Sequence, residues 1–342
     1  MIKTMRKKCL ITGGGGFLGS NIAKALLDFD CEILIFARNK YPELEKLGIK
    51  GIQGDLRSPQ SISDACKDVD TIFHTAAIPR MFGKKKLLYD VNVTGTENLL
   101  KAALENNVKK IVYTSSPSVV FGKDDLENVD ETTPYPQKYL AYYPQTKADA
   151  EKIIISADSA KTANGSVLHT CAIRPHLIWG PGDQHLIPRL LEKARNGRLR
   201  QVGEGKNLVD LIYIDNAVQA HLLAGEKLGK GGIANGQVYF VSDAEPVNLW
   251  DWINILLKRV GLNSVKKRIS LNFAYFLGML FELCYALFCI DSEPPMTRFI
   301  ALQLGKSHYF SNKKAERELG YKPKVSNEEG VAFLTKGREE LN

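Results

Sequence analysis

Residues Thr12 to Gly19 read TGGGGFLG, between a short apolar strand pattern (Cys9, Leu10, Ile11) and a helical pattern beginning at Asn21. A glycine-rich turn that leaves a strand and opens a helix aims backbone N–H groups and the positive helix end at one point, which suits a pyrophosphate. In this pattern Gly13 allows the tight turn and Gly16 lets the backbone approach the ligand. Phe17 and Leu18 complete the turn, and Gly19 lets the helix pack close to its strand. Glycines in such a spacing are weak evidence alone. The strand before them, the helix after them and their place near the N-terminus turn the motif into a candidate dinucleotide site.

The same alternation continues downstream. Apolar patterns predict strands near Lys8–Thr12, Glu32–Ala37, Gly51–Gly54, Thr71–His74, Lys110–Thr114 and Val167–Arg174. Helical patterns fall near Asn21–Phe29, Pro59–Cys66, Tyr89–Glu105 and Tyr143–Ser156. Strands alternating with helices imply an α/β fold with a doubly wound parallel sheet, and ligands at the carboxyl ends of its strands. After Arg174 a loop marked by Pro175, Gly180, Pro181 and Gly182 leads to a helix over Leu186–Asn196 and a hairpin-like stretch over Leu199–Leu211. The expected division is a dinucleotide-binding domain over residues 1–175 and a smaller C-terminal substrate lobe over 176–342, with some elements returning to the sheet.

The chain has 342 residues and a net charge of +8. Its basic runs, Arg6–Lys8, Lys84–Lys86 and Lys266–Arg268, are short, separated and free of interleaved aromatics, so no nucleic-acid partner is expected. The six cysteines (Cys9, Cys31, Cys66, Cys171, Cys284, Cys289) show no CxxC and no histidine at metal spacing. They read as buried thiols of a reducing compartment, with no metal site. The basic start runs directly into the glycine loop without a signal-peptide apolar region, so a cytoplasmic location is expected.

Tyr143 and Lys147 form a YxxxK spacing near a helix start. Residues four apart share a helix face, so the ammonium is expected beside the phenol, lowering its pKa towards the working pH. A tyrosine so tuned passes a proton to or from a carbonyl or alcohol oxygen. A third hydroxyl is expected after the preceding strand from Thr114, Ser115 or Ser116, with Ser116 favoured.

These residues carry a resemblance. TGGGGFLG, HTAA at His74–Ala77, NVTGTENLL at Asn92–Leu100, YTSS at Tyr113–Ser116 and YPQTK at Tyr143–Lys147 resemble the extended short-chain dehydrogenase/reductase family, with its Rossmann fold, over nearly the whole chain. RPHLIWGPGDQHLIPRLL (Arg174–Leu191) and GKNLVDLIYIDNAVQAH (Gly205–His221) are similar to its 3β-hydroxysteroid dehydrogenase branch. Within the branch the resemblance is greatest to bacterial 2-alkyl-3-oxoalkanoate reductases of long-chain olefin synthesis, then to sterol-4α-carboxylate 3-dehydrogenases. It implies that Tyr143 is the proton donor or acceptor and that Lys147 holds the nicotinamide ribose. Ser116 would position the carbonyl, and Asn92 would support the hydrogen-bond network. Asp55 and Leu56, in a segment whose aspartate contacts adenine, and Ala76 of HTAA would line the cofactor site. A homodimer is implied as well. NAD-using relatives carry an acidic residue at the end of the second strand. Here the chain reads Phe36-Ala37-Arg38-Asn39-Lys40, and Arg38 offers a guanidinium to a 2′-phosphate, which points to NADP(H) over NAD(H) and to a reductase.

The segment Ile269–Ile290 follows the Lys266–Arg268 cluster and is apolar enough to suggest a membrane span. Asn272 and Glu282 weigh against a span. The other readings are a buried helix of the substrate lobe, or an interfacial helix that admits a lipid and touches the membrane peripherally. Its apolar bulk argues for a long-chain lipid or sterol-like substrate. The function expected from the sequence is NADP-dependent reduction of the keto group of a long-chain β-keto acid. The alternatives are a 3β-hydroxysteroid or sterol-carboxylate dehydrogenase, a nucleotide-sugar epimerase or dehydratase, and a non-catalytic dinucleotide sensor.

Overall fold

Leu10 and Ile11 decide where the layers lie. They are neighbours on β1 (Lys7–Thr12), so their side chains point to opposite faces of the sheet, and both are fully buried. Ile11 joins the apolar cluster that includes Ile22 and Ala224, and Leu10 the cluster that includes Ile62 and Leu99. A strand buried on both faces needs helices on both, which is why its sequence is an unbroken apolar run. Truncating either residue to alanine would cost about 2–5 kcal/mol.

The computed structural model describes residues 7–339, the side chains of 335–339 excepted, so Arg6 of the first basic run lies outside the described residues. From β1 the chain forms α1 (Phe17–Ala25), β2 (Cys31–Ala37), α2 (Pro42–Glu45), β3 (Lys50–Gln53), α3 (Pro59–Ala65) and β4 (Thr71–His74). Next come α4 (Lys85–Tyr89), α5 (Gly95–Glu105), β5 (Lys110–Thr114), β6 (Leu126–Val129), α6 (Tyr142–Ser156) and β7 (His169–Pro175). The second half adds β8 (Ile178–Trp179), α7 (Leu186–Arg195), β9 (Gln201–Val202), β10 (Leu208–Val209), β11 (Ile212–Tyr213), α8 (Ile214–Lys227) and β12 (Gln237–Val241). It closes with β13 (Val247–Asn248), α9 (Leu249–Arg259), β14 (Arg268–Ile269), α10 (Leu271–Leu287), α11 (Arg298–Gly305), β15 (His308–Phe310), α12 (Lys313–Leu319) and α13 (Asn327–Glu339).

Seven parallel strands make the main sheet, in the order β12-β7-β5-β4-β1-β2-β3. The chain leaves β1 towards β2 on one side and returns to β4 on the other, so the crevice of the doubly wound fold opens at the end of β1. A four-stranded sheet, β13-β10-β15-β6, lies in the second half with β6 drawn in from the first.

Several expectations need correction. The first helix starts at Phe17 instead of Asn21. Gly13, at φ 68°, reverses the chain, and the Gly16 N–H donates to the Gly13 carbonyl at 2.8 Å, so the turn is complete sooner. The helix expected from Tyr89 begins at Lys85 and passes through a π-helical turn at Asp90–Thr94 before α5. Leu199–Leu211 is no hairpin: β9 pairs with β14, whereas β10 pairs with β13 and β15. Gly203 and Gly205, both at positive φ, send the two short strands to different partners.

The apolar segment is not a buried helix either. α10 buries only Ala274 and Gly278, because a side chain at Gly278 would collide with the backbone of Thr297 and Arg298 at the start of α11. Ala274 and Gly278 face inward, Leu271 and Tyr275 pack at the edge of the core, and many of the large apolar residues face outward. Phe273, Phe276, Met279, Leu280, Leu283 and Leu287 are exposed. Glu282 accepts from the Arg298 backbone N–H and Nε, each at 2.7 Å, so its charge is held at the joint between the two helices. Among the described residues no helix is long and apolar enough to cross a membrane. Cys9, Cys31, Cys66 and Cys171 are buried, but Cys289, just past α10, is exposed.

Candidate active site

A cleft of about 630 Å³ is lined by the residues that follow β1, β2, β3, β4, β5 and β7. At its wall α1 begins without a side-chain cap, which leaves the first amides of the helix for a ligand. The turn is built for close approach. A Cβ on Gly13 would lie 2.8 Å from the Ala76 Cα, and one on Gly19 would lie 2.4 Å from the Gly13 carbonyl oxygen. Gly13, Gly16, Phe17, Leu18, Gly19, Ala76, Arg38, Asp55 and Leu56 all line the cleft, as do Ser116, Tyr143 and Lys147. The uncapped helix end and the backbone cradle of Gly13 and Ala76 fit a dinucleotide.

Asn92 lies behind the cleft, fully buried in the π-helical turn. Its Oδ1 accepts from the Ile78 N–H at 2.8 Å, and its Nδ2 donates to Thr146 Oγ1 at 3.0 Å. Thr146 in turn donates to the Tyr143 carbonyl at 2.9 Å. Asn92 thus ties the loop after β4 to the first turn of α6, which carries Tyr143. π-helical turns often occur at functional sites, and here the turn places Asn92 between these elements.

Ser116 stands by the Tyr143 phenol and makes it easier to ionise. Burial is the larger effect and pushes Tyr143 up to about 12. The expectation that Lys147 lowers the phenol's pKa is therefore overturned. The Lys147 ammonium donates to the Thr114 carbonyl and sits 4.1 Å from the centroid of the Tyr113 ring. Burial brings Lys147 down to about 7, opposed by the charge of Glu151.

Glu151, one turn beyond Lys147, makes a two-pronged bond with Arg174 at 2.6 and 2.9 Å, buried on both sides. Burial works against its charge, but the Arg174 hydrogen bond and charge outweigh that and hold Glu151 below the usual carboxylate range. This pair locks α6 to β7 and so fixes the height of Tyr143 and Lys147. Thr114 is committed to His221 Nε2 at 2.9 Å, and Ser115 is buried; Ser116 Oγ instead caps the turn after β5 by accepting from the Ser118 N–H at 3.2 Å.

At the far end Arg57 pairs with Asp55 at 2.6 Å, and this hydrogen bond holds the Asp55 carboxyl below its ordinary value. Arg57 and Tyr41 line the cleft unforeseen, Tyr41 with its ring laid where a side chain on Gly15 would stand. Arg57 was legible as a basic residue two after Asp55. Phe121, Phe299, Gln303 and His308 also line it, and Met81, Leu87, Val91, Leu177 and Leu186 add apolar wall. Leu177 and Leu186 lie in the Arg174–Leu191 motif, but Met81, Phe121, Phe299, Gln303 and His308 lie outside the motifs noted in the sequence. No residue of 269–290 lines the cleft; α10 packs behind its wall, with Leu271 and Tyr275 in the cluster that holds Phe121 and Phe299.

The chain matches the 3-beta hydroxysteroid dehydrogenase/isomerase family over residues 10–273. It is 43% identical over 329 residues to a 2-alkyl-3-oxoalkanoate reductase of Stenotrophomonas maltophilia, covering 96% of this chain and 98% of that one. It is 34% identical to the decarboxylating sterol-4-alpha-carboxylate 3-dehydrogenase of Mus musculus, over 95% of this chain and 89% of that one. Among solved structures it resembles DesIV, a dTDP-glucose 4,6-dehydratase from Streptomyces venezuelae with NAD and TYD bound. The TM-score is 0.75 at 22% identity, over 97% of each chain. MoeE5 in complex with UDP-glucose and NAD superposes with a TM-score of 0.72 at 22% identity, over 98% of this chain and 100% of that one. At these identities the structural likeness concerns the fold.

Proposed function

Because the chain belongs to the 3-beta hydroxysteroid dehydrogenase/isomerase family, it is an NAD(P)-dependent oxidoreductase, and we propose that it reduces the keto group of a long-chain β-keto acid of the 2-alkyl-3-oxoalkanoate type, using NADPH. The observation that carries this reading is the cleft itself. Its one volume joins the glycine turn to Ser116, Tyr143 and Lys147, and beyond them runs an apolar wall of Phe121, Phe299, Leu177 and Leu186. A 2-alkyl-3-oxoalkanoate has a carbonyl for the first set of residues and hydrocarbon for the second.

When bound along the glycine turn, a nicotinamide dinucleotide would supply the hydride for the ketone carbon. Ser116 donates a hydrogen bond to the ketone oxygen, and Tyr143 gives that oxygen its proton. Burial keeps the phenol protonated before the reaction, the state a proton donor requires. The phenolate left behind would be stabilised by the Lys147 charge, one helical turn away. Lys147 would hold the nicotinamide ribose, exchanging its present bond to the Thr114 carbonyl for the ribose hydroxyls. Arg38 and the absence of an acidic residue at the end of β2 support NADPH over NADH.

The long chain arrives from a lipid surface. α10 turns six large apolar side chains outward, and the exposed Lys266, Lys267 and Arg268 precede it. Lys84, Lys85 and Lys86 stand near its other end, where Lys84 pairs with Asp291 at 2.9 Å. An apolar face with cations at both ends matches an anionic membrane surface. The function is tested by following NADPH oxidation with β-keto acids, 3-ketosteroids and sugar nucleotides. Turnover confined to the branched β-keto acids is expected. Turnover of a steroid or a sugar nucleotide in their place overturns the reading.

A further inference from the structure

His176, just beyond β7, and His308, at the start of β15, meet in the wall of the cleft beside Phe121, Phe299 and Gln303. Both are buried, their ring planes are 88° apart, and His308 Nδ1 lies 3.2 Å from His176 Nε2. The outer nitrogens are engaged too. His176 Nδ1 is 2.7 Å from the Asp210 carbonyl oxygen, and His308 Nε2 is 2.8 Å from the Gln303 carbonyl oxygen.

The two ends of this row fix where its protons lie. A carbonyl oxygen only accepts, so His176 Nδ1 and His308 Nε2 must both carry hydrogen. Two neutral imidazoles have one N–H each, and both are then used. The inner nitrogens are left facing each other with lone pairs alone. One further proton turns this contact into an N–H···N hydrogen bond and gives the pair one positive charge. Burial resists that charge, pulling His308 down to about 4 and His176 well below its ordinary value, so the third proton needs an anion beside it.

The surroundings supply none that is free. Asp125 is tied to Lys306 at 2.8 Å. Asp210 Oδ2 accepts from the Phe310 N–H, and burial raises both Asp210 and neighbouring Asp243 to about 7. Asp183 caps the start of α7, leaving the exposed His185 as the other histidine of the cleft. The lining contains Arg38 and Arg57, which stand with Asp55, and Lys147, which serves Thr114 and Tyr143. No further lysine or arginine lines the cleft among the described residues.

We propose that the His176–His308 pair recognises the acid group of the substrate: a carboxylate seated beside the rings draws the third proton onto the pair, which is cationic only while the acid is bound. This rests on the β-keto acid reading above and adds the element that separates the acid from neutral analogues of the same shape.

The test is calorimetric binding of a 2-alkylalkanoic acid and of its primary amide, in the presence of NADP. The acid has the charge but no reducible carbonyl. Repeating each titration in two buffers of different ionisation heat, about one unit above the ordinary histidine pKa, counts the protons taken up. Uptake close to one proton per acid is expected in the wild type, and none with the amide. In His176→Asn and His308→Asn the uptake should vanish and the acid should bind at least about tenfold more weakly. Amide binding should be unchanged. Asp210→Asn, which keeps an oxygen for Phe310, should retain the uptake. Acid binding without uptake in the wild type overturns the proposal whatever the variants do, as does uptake that survives both histidine changes or disappears with Asp210. If neither ligand binds and no β-keto acid is reduced, the substrate reading itself has failed and takes this site with it.

Discussion

Lys147 bonds the carbonyl oxygen of Thr114, at the end of β5, although Tyr143 stands one helical turn before it on the same helix. The buried ammonium takes the acceptor that lies within reach, and the Tyr113 ring beneath it adds a cation–π contact. The phenol consequently feels burial and Ser116 more than it feels the lysine. Recruiting Lys147 to the ribose would bring its charge to bear on Tyr143 when it is needed.

Tyr143→Phe should reduce turnover by about 10²–10⁴-fold, the ordinary contribution of a positioned general acid, with NADPH binding nearly unchanged. Fluorescence titration of the cofactor alongside steady-state rates separates the two effects. A variant keeping more than about a tenth of the wild-type rate would remove Tyr143 from the proton route.

Lys147 should write its own signature on pH. Its ammonium is protonated below about 7, so reduction should fall as pH rises through that value. Lys147→Met should be slow throughout and lack this limb. Stability runs the other way. The unfolded lysine titrates near 10.5 and the folded one near 7, so between these values the unfolded state holds more protons and the wild type gains stability as pH rises. In Lys147→Met, urea unfolding should show that gain removed.

Arg38→Ala should weaken NADPH binding about tenfold to a hundredfold and leave NADH binding nearly unchanged, because a charge-assisted hydrogen bond is worth about 1.5–3 kcal/mol. Equal losses for both cofactors would sink the NADP assignment.

Glu151→Gln leaves Arg174 buried without its counter-charge, which should cost about 3–5 kcal/mol in chemical unfolding. Since α6 is then less firmly tied to β7, kcat should fall even under conditions where the variant is fully folded. A stable variant with wild-type kcat would show that this pair does not position the helix.

Replacing Phe276, Leu283 and Leu287 by serine should abolish co-sedimentation with anionic vesicles while leaving reduction of a short, water-soluble β-keto acid intact. Vesicle binding by the wild type should weaken in high salt, which screens Lys266–Arg268. Equal sedimentation of wild type and variant would exclude α10 as the lipid contact.

The turn from β1 into α1 and the succession of strands and helices were legible in the chain because they arise from short-range physics. Gly13 alone can take φ 68° cheaply there, and β1 must be apolar on both faces to lie in the middle of a covered sheet. The four-residue spacing of Tyr143 and Lys147 likewise guarantees one helix face. It does not say where a flexible ammonium will point, and Thr114, more than thirty residues earlier, decides that. Composition marked 269–290 as apolar without saying which side is inside. That depended on Gly278 meeting the backbone of Thr297 and Arg298, where only the smallest residue fits. His176 and His308 stand 132 positions apart, one just past a strand of the main sheet and the other in the four-stranded sheet. Local backbone preference and periodicity are written residue by residue, but a side chain's partner in the interior is whatever the closed chain brings within about 3 Å, and that is settled only when distant segments pack.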